Sequence, residues 1–453
     1  MNKMHYTTDW NSIDSRPIPS WFQQAKFGIF IHWGVYSVPA WRKLESERYA
    51  SYAEWYYARV MYNEENGGKA FHEKNYGADF EYRDFAPLFK AELFDATFFA
   101  DLIAQSGAKY AVLTSKHHDG YCLWPASNKY KQNWNSVDIG PKRDLVGELS
   151  TAIKNKGLKM GLYYSMIEWE STPTHRTESG YFLPDALIQK YQIPADTYAN
   201  EVLIPELKEV VNLYEPSLIF SDGGEWDLDE NYAQTKEFLS WLYEDSSVKN
   251  EIVVNDRFHK GMPGVHGDYY SSEYNDAEHV QNNHPWEESR GIGGSYGFNR
   301  AENWNHYNTT KDLILELVDI VSRGGNLLLN IGPAADGTIP VVMQDRLIEI
   351  GQWLKVNGEG IYNTRTNTLK QLTSEDQQLY FTKNEKILFV FFTKWKESIS
   401  FEYTLQAPTS IEILGTNISL KWKLENNQLT IDITRLTIDE LPCLHLWGVR
   451  IIL

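Results

Sequence analysis

Short apolar runs, most closed by Gly, Asp or Asn, recur along the first three quarters of the chain, with helical spacing between several of them. Eight of these runs read as buried strands: 27–33, 110–117, 159–165, 217–222, 251–257, 267–273, 291–298 and 325–331. Asp95 is suited to cap a helix over 96–106 that Gly107 stops, and a second helical pattern covers 144–155 and ends at Gly157. Across 310–323, Leu313, Ile314, Leu317, Val318 and Val321 fall on one face, and Gly324-Gly325 ends the helix before the next strand. Helices alternating with short parallel-type strands predict an α/β fold, an irregular (β/α)8-like barrel. The irregularity is expected around strands five to seven, where helical patterns are weak or absent.

Near residue 360 the period changes. From Gln377 onward, two-residue alternation marks 379–382, 387–392, 399–403, 411–414, 429–433 and 444–447, with turn residues at Asn384-Glu385 and Glu425-Asn426-Asn427. This predicts a C-terminal antiparallel β-sandwich of about 90 residues. The chain therefore divides into a barrel domain over 1–360 and a sandwich domain over 361–453. No internal repeat or low-complexity segment interrupts that plan.

Composition narrows the classes of function. The net charge of −18, from 43 basic and 61 acidic residues, disfavours nucleic acid and anionic membrane as partners. No stretch approaches the ~18 apolar residues of a membrane-spanning helix. Cys122 and Cys443 are the only cysteines, so there is no disulfide framework and a reducing compartment is permitted. The first ten residues lack an apolar h-region, which predicts a cytoplasmic location, with secretion open if a leader precedes this sequence. Homo-oligomerisation is allowed. Aromatic residues make up 14% of the chain, including 16 Trp and 28 Tyr. Most such rings fill cores, but an excess suits sugar binding, because an apolar ring face stacks on the C–H face of a sugar.

In a β/α barrel the reactive groups sit at the carboxyl ends of the strands. The first predicted strand brings Phe30 and His32 there on one face. The second ends in Lys116-His117-His118-Asp119-Gly120, the third in Tyr163-Tyr164-Ser165, and the fourth carries Phe220 and Asp222 on one face. The fifth ends in Asn255-Asp256-Arg257, the sixth ends at Glu273, and the seventh brings Tyr296 and Phe298. A lone histidine is more often a satisfied core residue than a functional one. Three histidines, an arginine, a tyrosine and two carboxylates at successive strand ends reverse that expectation. Asp222 and Glu273, delivered by different strands into a cleft of aromatics and histidines, are what glycosidic bond cleavage requires: one nucleophile or base, one proton donor. Histidine and arginine donors would hold sugar hydroxyls. Phe30, Tyr52 and Tyr296 either wall an apolar substituent or pack as core, and Trp286 is a further candidate for substrate contact.

Other acids compete for the same role. Glu225, Asp227, Asp229 and Glu230 follow Asp222, and Glu287 and Glu288 follow Trp286; all of them read as solvated loop charge. Asp227-Leu-Asp-Glu lacks the glycine and terminal glutamate of a calcium loop. The adjacent rings of His117 and His118 would point to opposite sides of a strand, and no metal-binding helix or cysteine cluster is present. Gly291-Ile-Gly-Gly-Ser fits neither the dinucleotide nor the P-loop spacing, so neither a cofactor nor a metal is expected.

At these residues the chain resembles the α-L-fucosidases of glycoside hydrolase family 29. The matching motifs are Trp21-Phe-Gln-Gln-Ala-Lys-Phe-Gly-Ile-Phe-Ile-His-Trp-Gly34, Tyr110-Ala-Val-Leu-Thr-Ser-Lys-His-His-Asp-Gly120, Gly161-Leu-Tyr-Tyr-Ser165, Asn255-Asp-Arg257, Ser272-Glu-Tyr274, Gly291-Ile-Gly-Gly-Ser-Tyr-Gly297 and Arg323-Gly-Gly-Asn-Leu-Leu-Leu-Asn-Ile-Gly-Pro333. They run in order across roughly 20–360. The resemblance implies a retaining exo-hydrolase acting on fucosylated oligosaccharides or glycoconjugates, with Asp222 as nucleophile and Glu273 as acid/base. It places fucose binding on His32, Glu54, Trp55, His117, His118, Tyr164 and Arg257, and a pocket for the fucose methyl on Phe30, Tyr52 and Tyr296. The chain departs from the family at Phe220, where a Trp is often found, and so lacks an indole N–H donor there. Ser-Ser-Glu-Tyr on strand six points to the broad-specificity branch. A non-catalytic fucose-binding protein and a metal-dependent barrel hydrolase are the alternatives.

Overall fold

Apolar runs without alternation become strands buried on both faces, as parallel sheets require. In the computed structural model, which describes residues 5–45, 51–171, 183–224, 226–274, 284–369, 371–373, 377–434 and 436–453, eight strands, most of them such runs, form one curled parallel sheet. They are β1 (Phe27–Ile31), β2 (Tyr110–Lys116), β3 (Lys159–Ser165), β4 (Leu218–Asp222), β5 (Val253–Val254), β6 (Tyr270–Glu273), β7 (Trp286–Gly291) and β8 (Asn326–Ile331). Their order is β5-β4-β3-β2-β1-β8-β7-β6, which leaves β5 and β6 at the two edges. Inside the curl, Phe22, Phe30, Tyr110, Val112, Leu218 and Leu328 pack together. Outside it, Ile29, Ile31, Leu113, Leu162, Ile219 and Leu329 pack on the surrounding helices.

The helices start and stop where their caps predict. Ala96–Gln105 begins with Asp95 accepting the N–H groups of Thr97 and Phe98, and Leu145–Asn155 begins with Asp144 accepting from Gly147. Thr310–Ser322 starts in a capping box between Thr309 and Asp312. Among the described residues no helix is long and apolar enough to cross a membrane.

Two strands differ from expectation. The seventh lies at 286–291, not 291–298, because its glutamates are buried: Glu287 accepts the Tyr110 O–H at 2.5 Å inside the barrel, and Glu288 meets Arg290 at 3.3 Å. The reading of Glu287 and Glu288 as solvated loop charge is therefore corrected. The fifth shrinks from 251–257 to two residues because side chains take over the pairing. Asn255 Oδ1 accepts the N–H of Ser221 at 2.9 Å, and Asn255 Nδ2 donates to Ser221 O at 2.9 Å, extending the β4 contact. On the other side, Val254 O accepts from Asp268 N and Tyr269 N. Asp256 Oδ1 accepts the N–H and O–H of Ser271 at 2.9 and 2.7 Å. The seam between the two edge strands is thus closed largely by an aspartate.

Beyond the barrel, β9 (Leu372–Thr373), β10 (Gln378–Lys383), β11 (Ile387–Phe392), β13 (Ser410–Ile413) and β16 (Trp447–Ile452) form one antiparallel sheet in the order β13-β16-β11-β10-β9. A second sheet holds β12 (Ser398–Glu402), β15 (Gln428–Asp432) and β14 (Lys421–Glu425). Their inner faces share a core that includes Phe381 and Phe401, whose rings lie 5.1 Å apart. β14 was not expected, and the last strand lies at 447–452 and not 444–447, with Leu444 exposed. The long helix Val341–Asn357 joins the units: Trp353 Nε1 donates to Leu446 O at 2.8 Å and its ring meets Phe391.

Candidate active site

The carboxyl ends of the strands open into a cavity of about 720 Å³. Its lining includes Phe30, His32, Tyr52, Glu54, Trp55, His117, His118, Phe220, Asp222, Arg257, Glu273 and Tyr296, twelve of the residues singled out in the sequence. Tyr164 and Trp286 are not among them. Tyr164 points outward from β3, where its O–H donates to Glu206 at 2.8 Å and accepts from Lys116 at 2.8 Å. Its neighbour Tyr163 lines the cavity instead. Trp286 starts β7 at the amino end of the strand, with the Arg323 guanidinium 5.2 Å from its ring, and takes no part in the cavity. Arg59, Trp226, Pro263 and Ser289 also line the cavity without having been site candidates, and Ser271 and Ser272, which line it too, entered only within the Ser-Ser-Glu-Tyr motif. The Gly223-Gly224 pair after Asp222 was the available signal for Trp226, because a tight turn there returns the chain to the rim.

Asp222 ends β4 with both carboxylate oxygens engaged. Arg257 Nη2 donates to Oδ1 at 2.9 Å and the Tyr163 O–H donates to Oδ2 at 2.7 Å. Burial alone would raise this carboxyl; Arg257, His118 and Tyr163 outweigh it and hold it below the usual aspartate range. His118 counts only when protonated. Burial brings its own value to about 4, so at neutral pH Arg257 and Tyr163 carry the effect. The other terminal nitrogen of Arg257, Nη1, stands 3.7 Å from Glu273 Oε2. One guanidinium therefore faces both carboxylates. Glu273 ends β6, and its Oε1 accepts the Tyr52 O–H at 2.8 Å. The next residue, Tyr274, adopts φ +53° and accepts the Gly291 N–H on its hydroxyl at 2.6 Å, which pins the turn just after Glu273.

Burial lowers the three cavity histidines and favours their neutral forms, and the tautomers of His32 and His118 can be read from their partners. Asn330 Nδ2 donates to Tyr296 O at 2.7 Å, so Asn330 Oδ1 accepts from His32 Nδ1 at 2.7 Å and leaves His32 Nε2 as an acceptor. Burial lowers His32 to about 3 despite that bond. Ser165 donates its O–H to Ile167 O, so its oxygen accepts from His118 Nδ1 at 2.5 Å. His118 Nε2 lies 3.4 Å from Asp222 Oδ2. Contrary to strand alternation, His117 and His118 both line the cavity, with ring centroids 4.5 Å apart. The strand ends at Lys116, which is anchored outward on Glu168 and Glu206, and the turn to Gly120 at φ +74° swings both rings inward.

Glu54 lies in the short turn Ala53–Trp55 and accepts the Gly297 N–H at 2.8 Å, although burial raises it to about 7. This bond fixes the loop after β7 that carries Tyr296. Phe298 belongs to that loop and not to a strand. The Tyr296 ring stacks on His32 at 4.9 Å and lies 5.2 Å from Tyr52, while Phe30 meets Phe220 at 5.1 Å. Phe220 gives the cavity a ring face and no N–H donor. The acids after Asp222 are spoken for: Asp227 pairs with Lys260 at the surface, Asp229 caps a short helix, and Glu230 meets Lys236. Glu225 lies outside the described residues. Among the described residues no group of three or more His, Cys, Asp or Glu side chains is placed to hold a metal ion.

A parallel barrel whose strand ends carry two carboxylates around one arginine, in a blind cavity walled by aromatics, is the architecture of a glycoside hydrolase. The α-L-fucosidase family model matches residues 1–359, the model of the α-L-fucosidase C-terminal domain matches 371–452, and the chain belongs to this family. The plasma α-L-fucosidase of Homo sapiens is 40% identical over 458 residues, covering 98% of this chain and 91% of the relative. The α-L-fucosidase of Dictyostelium discoideum is 42% identical over 386 residues, covering 85% of this chain and 79% of the relative. The Thermotoga maritima α-fucosidase, solved in complex with a mechanism-based inhibitor, superposes with a TM-score of 0.84 at 36% identity, covering 99% of this chain and 100% of that one.

Proposed function

We propose that this chain is a retaining exo-α-L-fucosidase that removes terminal α-L-fucosyl residues from oligosaccharides or glycoconjugates, with Asp222 as nucleophile and Glu273 as acid/base. The observation that carries the reading is the Arg257 guanidinium, 2.9 Å from Asp222 and 3.7 Å from Glu273, in a cavity walled by Phe30, Tyr52 and Tyr296. A carboxylate held ionised by an arginine and a tyrosine hydroxyl is ready to attack. In the first step Asp222 forms a bond to the anomeric carbon while the C–O bond to the leaving group breaks. The leaving oxygen keeps the electron pair and takes the proton of Glu273. In the second step Glu273 takes a proton from water, the water oxygen bonds to the anomeric carbon, and Asp222 leaves as a carboxylate.

An exo mode follows from the floor of the cavity. Phe30, Tyr163 and Phe220 close it onto the packed barrel interior of Val112 and Leu328, so a chain cannot pass through. The neutral His32 and His118 offer Nε2 acceptors to sugar hydroxyls, and Arg257 offers a donor. The apolar wall suits a C5 methyl group better than a hydroxymethyl, which would be desolvated there without a partner.

The test is turnover of an aryl α-L-fucoside, with proton NMR following the anomer released first. Initial release of α-L-fucose supports retention. Initial β-L-fucose overturns the double displacement, and binding without turnover overturns the enzyme reading.

A further inference from the structure

Tyr52 does two things at once in this cavity. Its ring forms part of the apolar wall, 5.2 Å from the Tyr296 ring. Its hydroxyl donates to Glu273 Oε1 at 2.8 Å. Its backbone is held on both sides by the loop after β7: Asn299 Nδ2 donates to Ser51 O at 3.1 Å, and Ala53 N donates to Ser295 Oγ at 2.9 Å. The ring cannot move without moving the hydroxyl, and the flanking clamps leave little backbone play to compensate.

We propose that Tyr52 is a positioning residue that couples recognition of the sugar's methyl group to the placement of the proton donor. The inference rests on the fucosidase reading above. A sugar with a methyl on C5 leaves the ring in place, and the Tyr52 O–H stays on Glu273. A sugar with a hydroxymethyl there, such as an α-L-galactoside, presses on the same ring and breaks the contact. Discrimination between the two sugars then appears in kcat, because the acid is misplaced, as well as in KM.

The proton step explains why the contact matters. As the glycosidic bond breaks, the leaving oxygen keeps its electron pair and takes the proton of Glu273, and negative charge grows on the Glu273 carboxyl. A hydroxyl already aimed at Oε1 stabilises that charge more in the transition state than in the neutral acid. Among the described residues, the groups facing Glu273 include Tyr52 from the segment between β1 and β2, Arg257 from the end of β5, Tyr274 from the end of β6 and Tyr296 from the loop after β7. Asp222 acts on it through the shared Arg257. Of these, Tyr52 and Arg257 favour the carboxylate, and of that pair Tyr52 belongs to the methyl wall. Burial and the neighbouring Glu273 charge raise the Tyr52 phenol itself, so it stays a donor throughout the working range.

The experiment compares the full-length chain with Tyr52→Phe, which keeps the ring, and Tyr52→Leu, which loses both ring and hydroxyl. Substrates are dinitrophenyl and phenyl α-L-fucosides and dinitrophenyl and phenyl α-L-galactosides, with kcat and KM separated. Melting temperatures check that the variants fold. Tyr52→Phe should slow the phenyl fucoside about 10- to 100-fold and the dinitrophenyl fucoside, which needs little acid help, much less. Loss of a donor to the carboxylate raises the acid's pKa, so the basic limb of the kcat profile should move to higher pH. With phenyl as leaving group, the fucoside-to-galactoside ratio of kcat should fall in Tyr52→Phe while the ratio of KM stays, and both ratios should fall in Tyr52→Leu. A wild-type chain active on the dinitrophenyl fucoside, with an unmoved basic limb and unchanged leaving-group sensitivity in Tyr52→Phe, overturns this inference alone. A wild-type chain inert on both fucosides overturns the fucosidase reading and this inference with it.

Discussion

Replacing Arg257 with Met should convert Asp222 from a carboxylate into a neutral acid over much of the working pH range. The two side chains are 9% and 14% exposed, so solvent screens the pair little. Burial pushes the Asp222 carboxyl up; the guanidinium and the Tyr163 hydroxyl now reverse that. Removing one partner of a buried ion pair strands the other at a cost of about 3–5 kcal/mol. At ~1.36 kcal/mol per pKa unit, this corresponds to about two to four units. The variant escapes the cost by protonating Asp222. The nucleophile must be ionised, so the acid limb of kcat/KM should move to higher pH by about two units or more. Stability should follow the same linkage. In the wild type the depressed carboxyl contributes stability that is full above the unfolded value of ~3.9 and is lost as pH falls through the lower folded value. With a raised folded value, the variant instead loses stability as pH rises from ~3.9 toward that value. The assay is kcat/KM against pH on a dinitrophenyl α-L-fucoside, with urea unfolding in acid and alkaline buffers. Arg257→Lys retains a charge and should shift the limb less. An acid limb unmoved in Arg257→Met would refute the claim that Arg257 sets the ionisation of Asp222.

Other substitutions separate the remaining roles. Asp222→Gly should lose turnover by several orders of magnitude and regain part of it with azide; near-normal unaided turnover removes Asp222 as nucleophile. Tyr163→Phe should lose about 1.5–3 kcal/mol of kcat/KM with its hydrogen bond to the carboxylate, whereas Tyr164→Phe should lower the melting temperature and leave kcat near wild type. The opposite ordering would restore Tyr164 as the substrate contact. The α-L-galactoside should be cleaved about 10- to 200-fold less efficiently than the matching fucoside, and equal efficiency would count against the apolar wall. Glu287, raised to about 8 by burial, holds its proton in the folded state, so it withdraws stability as pH rises from its unfolded value of ~4.3 to about 8. Glu287→Gln should flatten that decline and retain activity, and a slope identical to wild type would show that Glu287 is ionised in the barrel.

Where the chain encoded its plan through apolar runs, the plan was legible: six of the eight barrel strands and the capped helices lie where their hydrophobic pattern and end residues put them. What it hid depends on partners far away in sequence. Trp286-Glu-Glu-Ser-Arg reads as a charged loop until Tyr110, 177 positions away, supplies the donor that lets Glu287 sit inside the barrel. Tyr163 and Tyr164 are chemically identical, so only the register of β3 against β4, which pairs Tyr163 with Phe220, decides which faces the cavity. His117 and His118 break strand alternation because Lys116 ends the strand, and the two glutamates that anchor Lys116 come from segments 52 and 90 positions away. In the sandwich, Lys421-Trp-Lys-Leu-Glu alternates too, but its apolar residues are half-buried on an edge strand and give a weak signal.

The motif Asn255-Asp256-Arg257 shows why catalysis and barrel irregularity share a place. A strand continuing through 257 would use its backbone groups on ladder bonds and hold β4 and β6 at the ladder spacing of ~4.8 Å on either side. Here the backbone pairing stops at Val254, and two short polar side chains imitate it, Asn255 toward β4 and Asp256 toward β6. An amide matches a backbone peptide in donating and accepting, so Asn255 exchanges two bonds with Ser221, the residue before Asp222. A carboxylate only accepts, so Asp256 gathers the Ser271 N–H and O–H and the Gly264 N–H. Both carboxylate-bearing strand ends are therefore tied to one tripeptide, whose third residue puts its guanidinium between Asp222 and Glu273. The Arg257 carbonyl accepts the Gly223 N–H at 2.6 Å, which fixes the turn just after the nucleophile. Leaving the ladder at this point frees the arginine to face the cavity while its neighbours keep the two acids in register. The same three residues thus close the barrel seam and set the electrostatics of the site.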